Sequence, residues 1–228
     1  MKGMWAALLA ECLGTFALCF IGAGAICTNE ATGGAVGLLG IAVAHGTVLA
    51  VMISALGHIS GAHFNPAVTV GLLAGEKIDG RRAGLYILAQ LAGAALAGTL
   101  LLVVFPEPVW QLVHLGTPAL NEGMTSGQGV LLEGILTFFL VLTVFGTAVD
   151  PKGSWNAIAG FGIGTVLIFD ILVGGPLTGA AMNPARAFGP ALASGFWEHH
   201  LVYWIGPLIG GTAAGLLYAK VFLGHKTR

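Results

Sequence analysis

Six apolar stretches divide this chain, each near the roughly twenty residues that an α-helix needs to cross a bilayer. They run from about Met4 to Ile26, Ala35 to Leu56, Ala83 to Phe105, Gly127 to Val149, Trp155 to Val173 and Leu201 to Leu223. Only 8% of the 228 residues are charged, where a soluble domain carries about a quarter. The pattern predicts an all-α integral membrane protein, multi-pass, forming one domain over 1–228 with no soluble module. The first stretch leads into this polytopic pattern and reads as a span, not as a cleaved signal. A net charge of −1 gives nucleic-acid binding no support. Cys12, Cys19 and Cys27 all fall in the first stretch. They lack metal-ligand spacing and make no disulfide framework, so neither a metal nor a cofactor is called for.

Two copies of one tripeptide interrupt the spans: Asn65-Pro66-Ala67 and Asn183-Pro184-Ala185. Each follows an irregular Gly-rich stretch, Gly57 to Phe64 and Gly174 to Met182, and opens a short apolar run. Asn is a favoured helix N-cap, and Pro is tolerated at the first helical position, where its missing N–H has no partner to lose. About ten residues of helix rise roughly 15 Å, half of a hydrocarbon core near 30 Å. The expectation is two half-helices, ending near Gly75 and Gly195, whose capped N-termini meet at mid-membrane.

Six full spans put both termini on one side. Lys2, Lys77, Arg81, Arg82, Lys152, Lys220, Lys226 and Arg228 all fall on that side, while the opposite loops carry Glu30, Glu107, Glu122 and Glu198. The positive-inside rule makes the terminal side cytoplasmic, and the cell membrane is the expected location. Arg186 is the basic residue left over. It falls at a depth where charge is costly, which makes it a functional candidate.

The chain also repeats itself. Gly46-Thr47-Val48 recurs as Gly164-Thr165-Val166, 118 residues on, the same offset as the two Asn-Pro-Ala boxes. Tyr86, Gly93 and Gly98 recur as Tyr203, Gly210 and Gly215. Glu11 with Thr15-Phe16 matches Glu133 with Thr137-Phe138. Each half, about 1–105 and 127–228, holds three spans. An odd number inverts the second half, so the half-helices enter from opposite faces. Inverted repeats with half-helix termini at the midplane recur as binding or conduction sites in membranes.

Two boxes in register, Arg186 three residues after the second Asn, the run Ser60-Gly61-Ala62-His63-Phe64-Asn65-Pro66-Ala67-Val68-Thr69, and Ala89-Gln90-Leu91-Ala92-Gly93-Ala94 together resemble the major intrinsic protein family, the aquaporins and aquaglyceroporins. The resemblance covers nearly the whole chain. It implies a homotetramer in membrane lipid with one pore per subunit. Asn65 and Asn183 would cap their helices and still donate N–H bonds into the pore. Two facing helix N-termini, each worth about half a positive charge, oppose cations. A water whose oxygen accepts from both amides cannot relay a proton through the same lone pairs, so water passes and hydronium does not.

By resemblance the outer selectivity filter is His45, Ile171, Ala180 and Arg186. Water-selective members usually carry Phe in span two and His in span five. The arrangement here resembles the plant tonoplast intrinsic protein branch instead, some members of which also pass ammonia. Glycerol-type members usually have Asp after the filter Arg and Lys four residues on. Ala187 and Ala191 stand there, and Tyr203-Trp204 is a water-type pair. The leading expectation is a passive water channel, with ammonia or other small neutral solutes as further permeants and glycerol as the competing substrate. A coupled transporter would need paired acids for an ion, and an enzyme would need a catalytic constellation; neither pattern is present.

Glu11 and Glu133, acids inside spans, are expected to accept backbone N–H bonds from the irregular loops, which then aim carbonyls into the pore from about Gly57 to Ala62 and Gly179 to Met182. His63 is placed beside the pore in support, and His58 at the cytoplasmic vestibule. Asp170 is predicted to point away from the pore. His114 is a candidate to dip toward Arg186, and His199 and His200 read as an exposed loop pair.

Overall fold

A computed structural model describes residues 2–153 and 158–224. The predicted start of span five at Trp155, and the basic residues Lys226 and Arg228, lie outside them. Six membrane-length helices are present: α1 (Lys2–Ala31), α2 (Gly37–Ser60), α4 (Gly80–Val104), α6 (Ser126–Val144, extended by a π-turn Phe145–Val149), α7 (Ala159–Thr178) and α9 (Val202–Leu217, extended by a π-turn Tyr218–Phe222). Between them lie the half-helices α3 (Pro66–Ala74) and α8 (Pro184–Ser194), and a short α5 (Glu107–Leu112).

Several spans run further than the apolar runs alone suggest. α1 continues through Thr28–Ala31, placed in a turn by sequence, because nothing breaks the helix before Gly33 and Gly34 at φ 63° and 91°. α2 likewise continues through Gly57 to Ser60 and stops at Gly61, whose φ of 93° suits glycine. The irregular backbone is therefore Gly61–Phe64, shorter than the predicted loop. In the second half α7 runs through Pro176 to Thr178 and stops at Gly179, φ 82°. Asn121, in the loop before α6, covers the helix end: its Nδ2 donates to the Pro176 carbonyl at 2.8 Å and its N–H to the Leu177 carbonyl at 2.8 Å.

Small residues set how closely the helices pack. A Cβ on Gly46 of α2 would overlap the Gly164 carbonyl of α7, and one on Gly164 would overlap the Gly46 carbonyl. The half-helices are held the same way, Gly189 of α8 against Ala94 of α4 and Gly71 of α3 against Gly211 of α9. With such contacts the backbones approach to van der Waals distance without a side chain between them. Large apolar residues face outward instead, among them Trp5, Val51, Leu88, Val103, Leu131, Phe161 and Ile209. Lipid tails cover such a surface at no cost, where water would not.

Candidate functional site: a lumen between the half-helices

The half-helices begin where the boxes predict. Asn65 caps α3, its Oδ1 accepting from the Ala67 N–H at 2.8 Å; Asn183 caps α8, its Oδ1 accepting from Ala185 at 3.0 Å and Arg186 at 3.2 Å. Each side-chain amide then crosses to the other half. Asn65 Nδ2 donates to the Met182 carbonyl at 2.8 Å, and Asn183 Nδ2 donates to the Phe64 carbonyl at 2.9 Å. These reciprocal bonds place the two N-termini against each other. They also use one hydrogen of each amide, which leaves the second for the lumen that both residues line.

Two buried acids hold the irregular loops. Glu11 Oε1 accepts from Ser60 Oγ at 2.6 Å and the His63 N–H at 2.9 Å; Oε2 accepts from the Phe64 N–H and from Gln90 Nε2, both at 2.7 Å. Glu133 Oε1 accepts from Thr178 Oγ1 at 2.7 Å and the Ala181 N–H at 3.0 Å; Oε2 accepts from the Met182 N–H at 2.7 Å. A trans peptide sends its N–H and C=O in opposite directions. With the N–H groups of His63, Phe64, Ala181 and Met182 on the carboxylates, the carbonyls of Ala62, His63, Ala180 and Ala181 turn away from them. Those four residues line the lumen. The geometry requires left-handed backbone at Ala62 and Phe64 (φ 51° and 50°) and at Ala180 and Met182 (φ 44° and 50°). Such conformations cost about 1–3 kcal/mol each and persist only where surrounding bonds over-determine them. The tyrosines add one bond per loop: Tyr86 Oη donates to the Ser60 carbonyl at 2.7 Å and Tyr203 Oη to that of Thr178 at 2.9 Å.

Toward the side opposite the termini, termed the outer side, His45, Ile171, Ala180 and Arg186 line the same cavity, and all four are buried. His45 Nδ1 lies 2.9 Å from the Ile41 carbonyl, which can only accept, so this nitrogen carries the proton. Nε2 is then an acceptor for Arg186 Nη2 at 3.4 Å. Arg186 Nη1 donates to the Gly116 carbonyl at 2.7 Å, while Nε has no hydrogen-bond partner among the described residues. The outer chamber shares His45, Ile171 and Arg186 with the lumen and adds Thr117, Pro118 and Ala119. Inner chambers share Gly61 and Ala148 with it and add His58 on one side, Lys77 and Arg82 on the other.

Two histidines sit elsewhere than the sequence suggests. His114 does not reach Arg186. It stacks on Phe196, ring centroids 3.8 Å apart and planes 5° from parallel. The loop group that reaches Arg186 is the Gly116 carbonyl, at the end of three left-handed residues, His114, Leu115 and Gly116. Leu115 is driven into an apolar pocket with Ala23, Cys27 and Leu101, and this pins the loop. His200 is not a bare surface residue, since it accepts from Trp204 Nε1 at 3.1 Å. His63 lines the lumen, and its Nδ1 lies 3.1 Å from Thr69 Oγ1. Asp170 is buried and is not among the residues that line the lumen; its Oδ2 has no partner among the described residues. Ser60 and Gln90 lie in the runs that resemble the family without a role read for them, and Thr178 and Gly116 lie outside any motif. Ser60 and Thr178 were reachable, being 118 residues apart like the boxes; the roles of Gln90 and Gly116 rest on contacts no spacing reveals.

Irregular backbone buried within a helical bundle, at Gly61–Phe64 and Gly179–Met182, that lines a chamber adjoining further chambers toward both sides defines a membrane channel. The chain belongs to the major intrinsic protein family, whose profile matches residues 1–218. It is 46% identical to Aquaporin TIP4-4 of Zea mays over 231 residues, covering 96% of this chain and 89% of that protein. It is 48% identical to Aquaporin TIP4-1 of Arabidopsis thaliana, covering 95% and 86%, and 44% identical to Aquaporin TIP2-1 of the same plant, covering 96% and 88%. Among solved structures, the aquaglyceroporin from Plasmodium falciparum superposes with a TM-score of 0.81 at 24% identity, over 96% of this chain and 97% of that one, a likeness of fold.

Proposed function

We propose that this aquaporin conducts water passively through the lumen of each subunit, passes ammonia as a second neutral permeant, and excludes protons and cations. The observation that carries the reading is that Asn65, Asn183, His45 and Arg186 line one lumen with His63 and the loop backbone, while most of the other lining side chains are apolar, Leu49, Leu140, Ile163 and Leu167 among them. Water moving along it meets a narrow track of donors and carbonyls, and elsewhere hydrocarbon that holds nothing back. At the two Asn the free amide hydrogens both take the oxygen of one water, which orients its hydrogens outward and breaks a proton wire. The positive ends of α3 and α8 oppose cations at that level. Arg186 opposes them again at the outer constriction. Ile171 and the small Ala180 leave the filter less polar than its His45 side, which suits ammonia as well as water.

The two halves, about 1–105 and 127–228, are read as inverted repeats, supported by the reciprocal bonds of Asn65 and Asn183. A homotetramer is read from family membership and from the outward apolar faces. The positive-inside pattern supports cytoplasmic termini, with Lys77 and Arg82 at the inner chamber, and the cell membrane is kept as the proposed location.

Stopped-flow measurement on proteoliposomes tests the reading with water, ammonia and glycerol in parallel. Water and ammonia fluxes above those of empty vesicles, linear in gradient, are expected, with little glycerol flux. Water flux equal to that of empty vesicles would sink it. Mercurials supply a second check. Cys19 and Cys27 are buried, Cys12 is half-buried, and none of the three lines the lumen. Mercurial treatment is expected to leave most water flux intact, and Ala180→Cys to make the channel mercury-sensitive. Strong block of the native protein at low mercurial concentration argues against the placing of Ala180.

A further inference from the structure

Gly22 lies on α1, outside the motifs, and its missing side chain is filled by the filter. A Cβ built there would overlap His45 Nε2, and would stand 2.5 Å from Cδ2 and 2.9 Å from Cε1 of the same ring. No other residue stands among its three nearest contacts. The imidazole therefore rests flat against the bare backbone of α1, where Nε2 meets Arg186 Nη2 and Nδ1 meets the Ile41 carbonyl. In the repeat register Gly22 corresponds to Val144, and His45 corresponds to Ile163; both of these also line the lumen. One half thus divides its bulk between two apolar side chains. The other concentrates it in one imidazole and removes it from the neighbouring helix.

We infer that Gly22 is a positioning residue for the selectivity filter: it gives the His45 ring the recess that keeps it against Arg186 and out of the conduction path. The inference rests on the channel reading above. With a methyl group at position 22, the element that yields is the ring and not the helix pair, because the obstructing atoms are the end of a side chain with two rotatable bonds. Displaced from α1, the ring moves toward the lumen that it lines. The bond from Arg186 is lost and the constriction opposite Ile171 narrows.

The test compares four proteins in proteoliposomes: wild type, Gly22→Ala, His45→Ala and the double variant. Gly22→Ala is expected to lower water flux per channel roughly tenfold, the factor produced by about 1.4 kcal/mol of added barrier. It should lower the flux of a larger neutral probe, formamide, by more. In the His45→Ala background the same change should have no effect, since the ring it displaces is gone. An equal loss in both backgrounds, or no loss in either, overturns the inference. If Gly22→Ala does not yield folded protein, recovery of folding in the double variant supports coupling through the ring, and failure in both overturns it. The side-chain ¹⁵N shifts of His45 give a readout independent of flux: loss of the Arg186 bond should move the Nε2 resonance in Gly22→Ala, and an unmoved resonance counts against the idea. Absence of water flux in the wild type would instead count against the channel reading, and the ¹⁵N comparison would still decide the role of Gly22.

Discussion

Glu133→Gln is expected to yield little folded channel, and the mirror-image Glu11→Gln to be clearly milder. Glu133 accepts three bonds on two oxygens, two of them from the backbone N–H groups of Ala181 and Met182. An amide turns one oxygen into a donor that faces a donor. Each buried N–H left unsatisfied costs about 1–3 kcal/mol, and the left-handed backbone at Ala180 and Met182 then lacks part of what holds it. A total near 2–6 kcal/mol is a large part of the 5–15 kcal/mol that stabilises a typical domain. Glu11 differs through Gln90, whose Nε2 donates to it while Oε1 has no partner among the described residues. Rotating the Gln90 amide by half a turn presents Oε1 to the new side-chain N–H, at the loss of the 3.0 Å bond to Thr69. The position matching Gln90 in the second half is Pro207, which offers no such exchange. Thermal unfolding in detergent and water flux per reconstituted channel would both measure the difference. Equal damage from the two substitutions would refute the account.

Arg186→Val is expected to keep water flux and open a leak for cations and protons. The guanidinium is buried, held by the Gly116 carbonyl and His45 Nε2, and is a fixed charge where the lumen meets the outer chamber. Two unit charges about 4 Å apart at an effective dielectric near 20 repel by about 4 kcal/mol. Removing one such term raises cation passage by up to about a thousandfold. The channel should still fall far short of an ion pore, because the N-termini of α3 and α8 remain. Arg186→Lys separates charge from shape. It keeps the barrier, but a single ammonium cannot reproduce the fork that spans Gly116 and His45. Voltage-driven proton entry into pyranine-loaded vesicles separates Arg186→Val from the other two: low for wild type and Arg186→Lys, high for Arg186→Val.

These expectations draw on two kinds of information. Span number, the two half-helices and the family follow from the chain alone. Hydropathy is a bulk property of each segment. Asn followed by Pro is a local helix start, and the 118-residue offset repeats in plain view. Arg186 is also legible, because a charge at that depth has few explanations. Helix ends are less so: Gly57 and Pro176 look like breaks, yet both lie inside helices whose hydrogen bonds continue past them.

Other features depend on which residues meet across the bundle. Nothing near Gly22 in the sequence announces that it gives room to His45, because that neighbour arrives from another helix. The loop before α6 could as well have offered His114 to Arg186. Burial of Leu115 against α1 and α4 turns the chain so that the Gly116 carbonyl arrives instead. Residue types and their spacing thus determined that two capped half-helices and one buried cation would line a path through a membrane. Only the tertiary structure decided which groups hold that cation and how much space the imidazole beside it has, since both depend on close contacts between segments far apart in the chain.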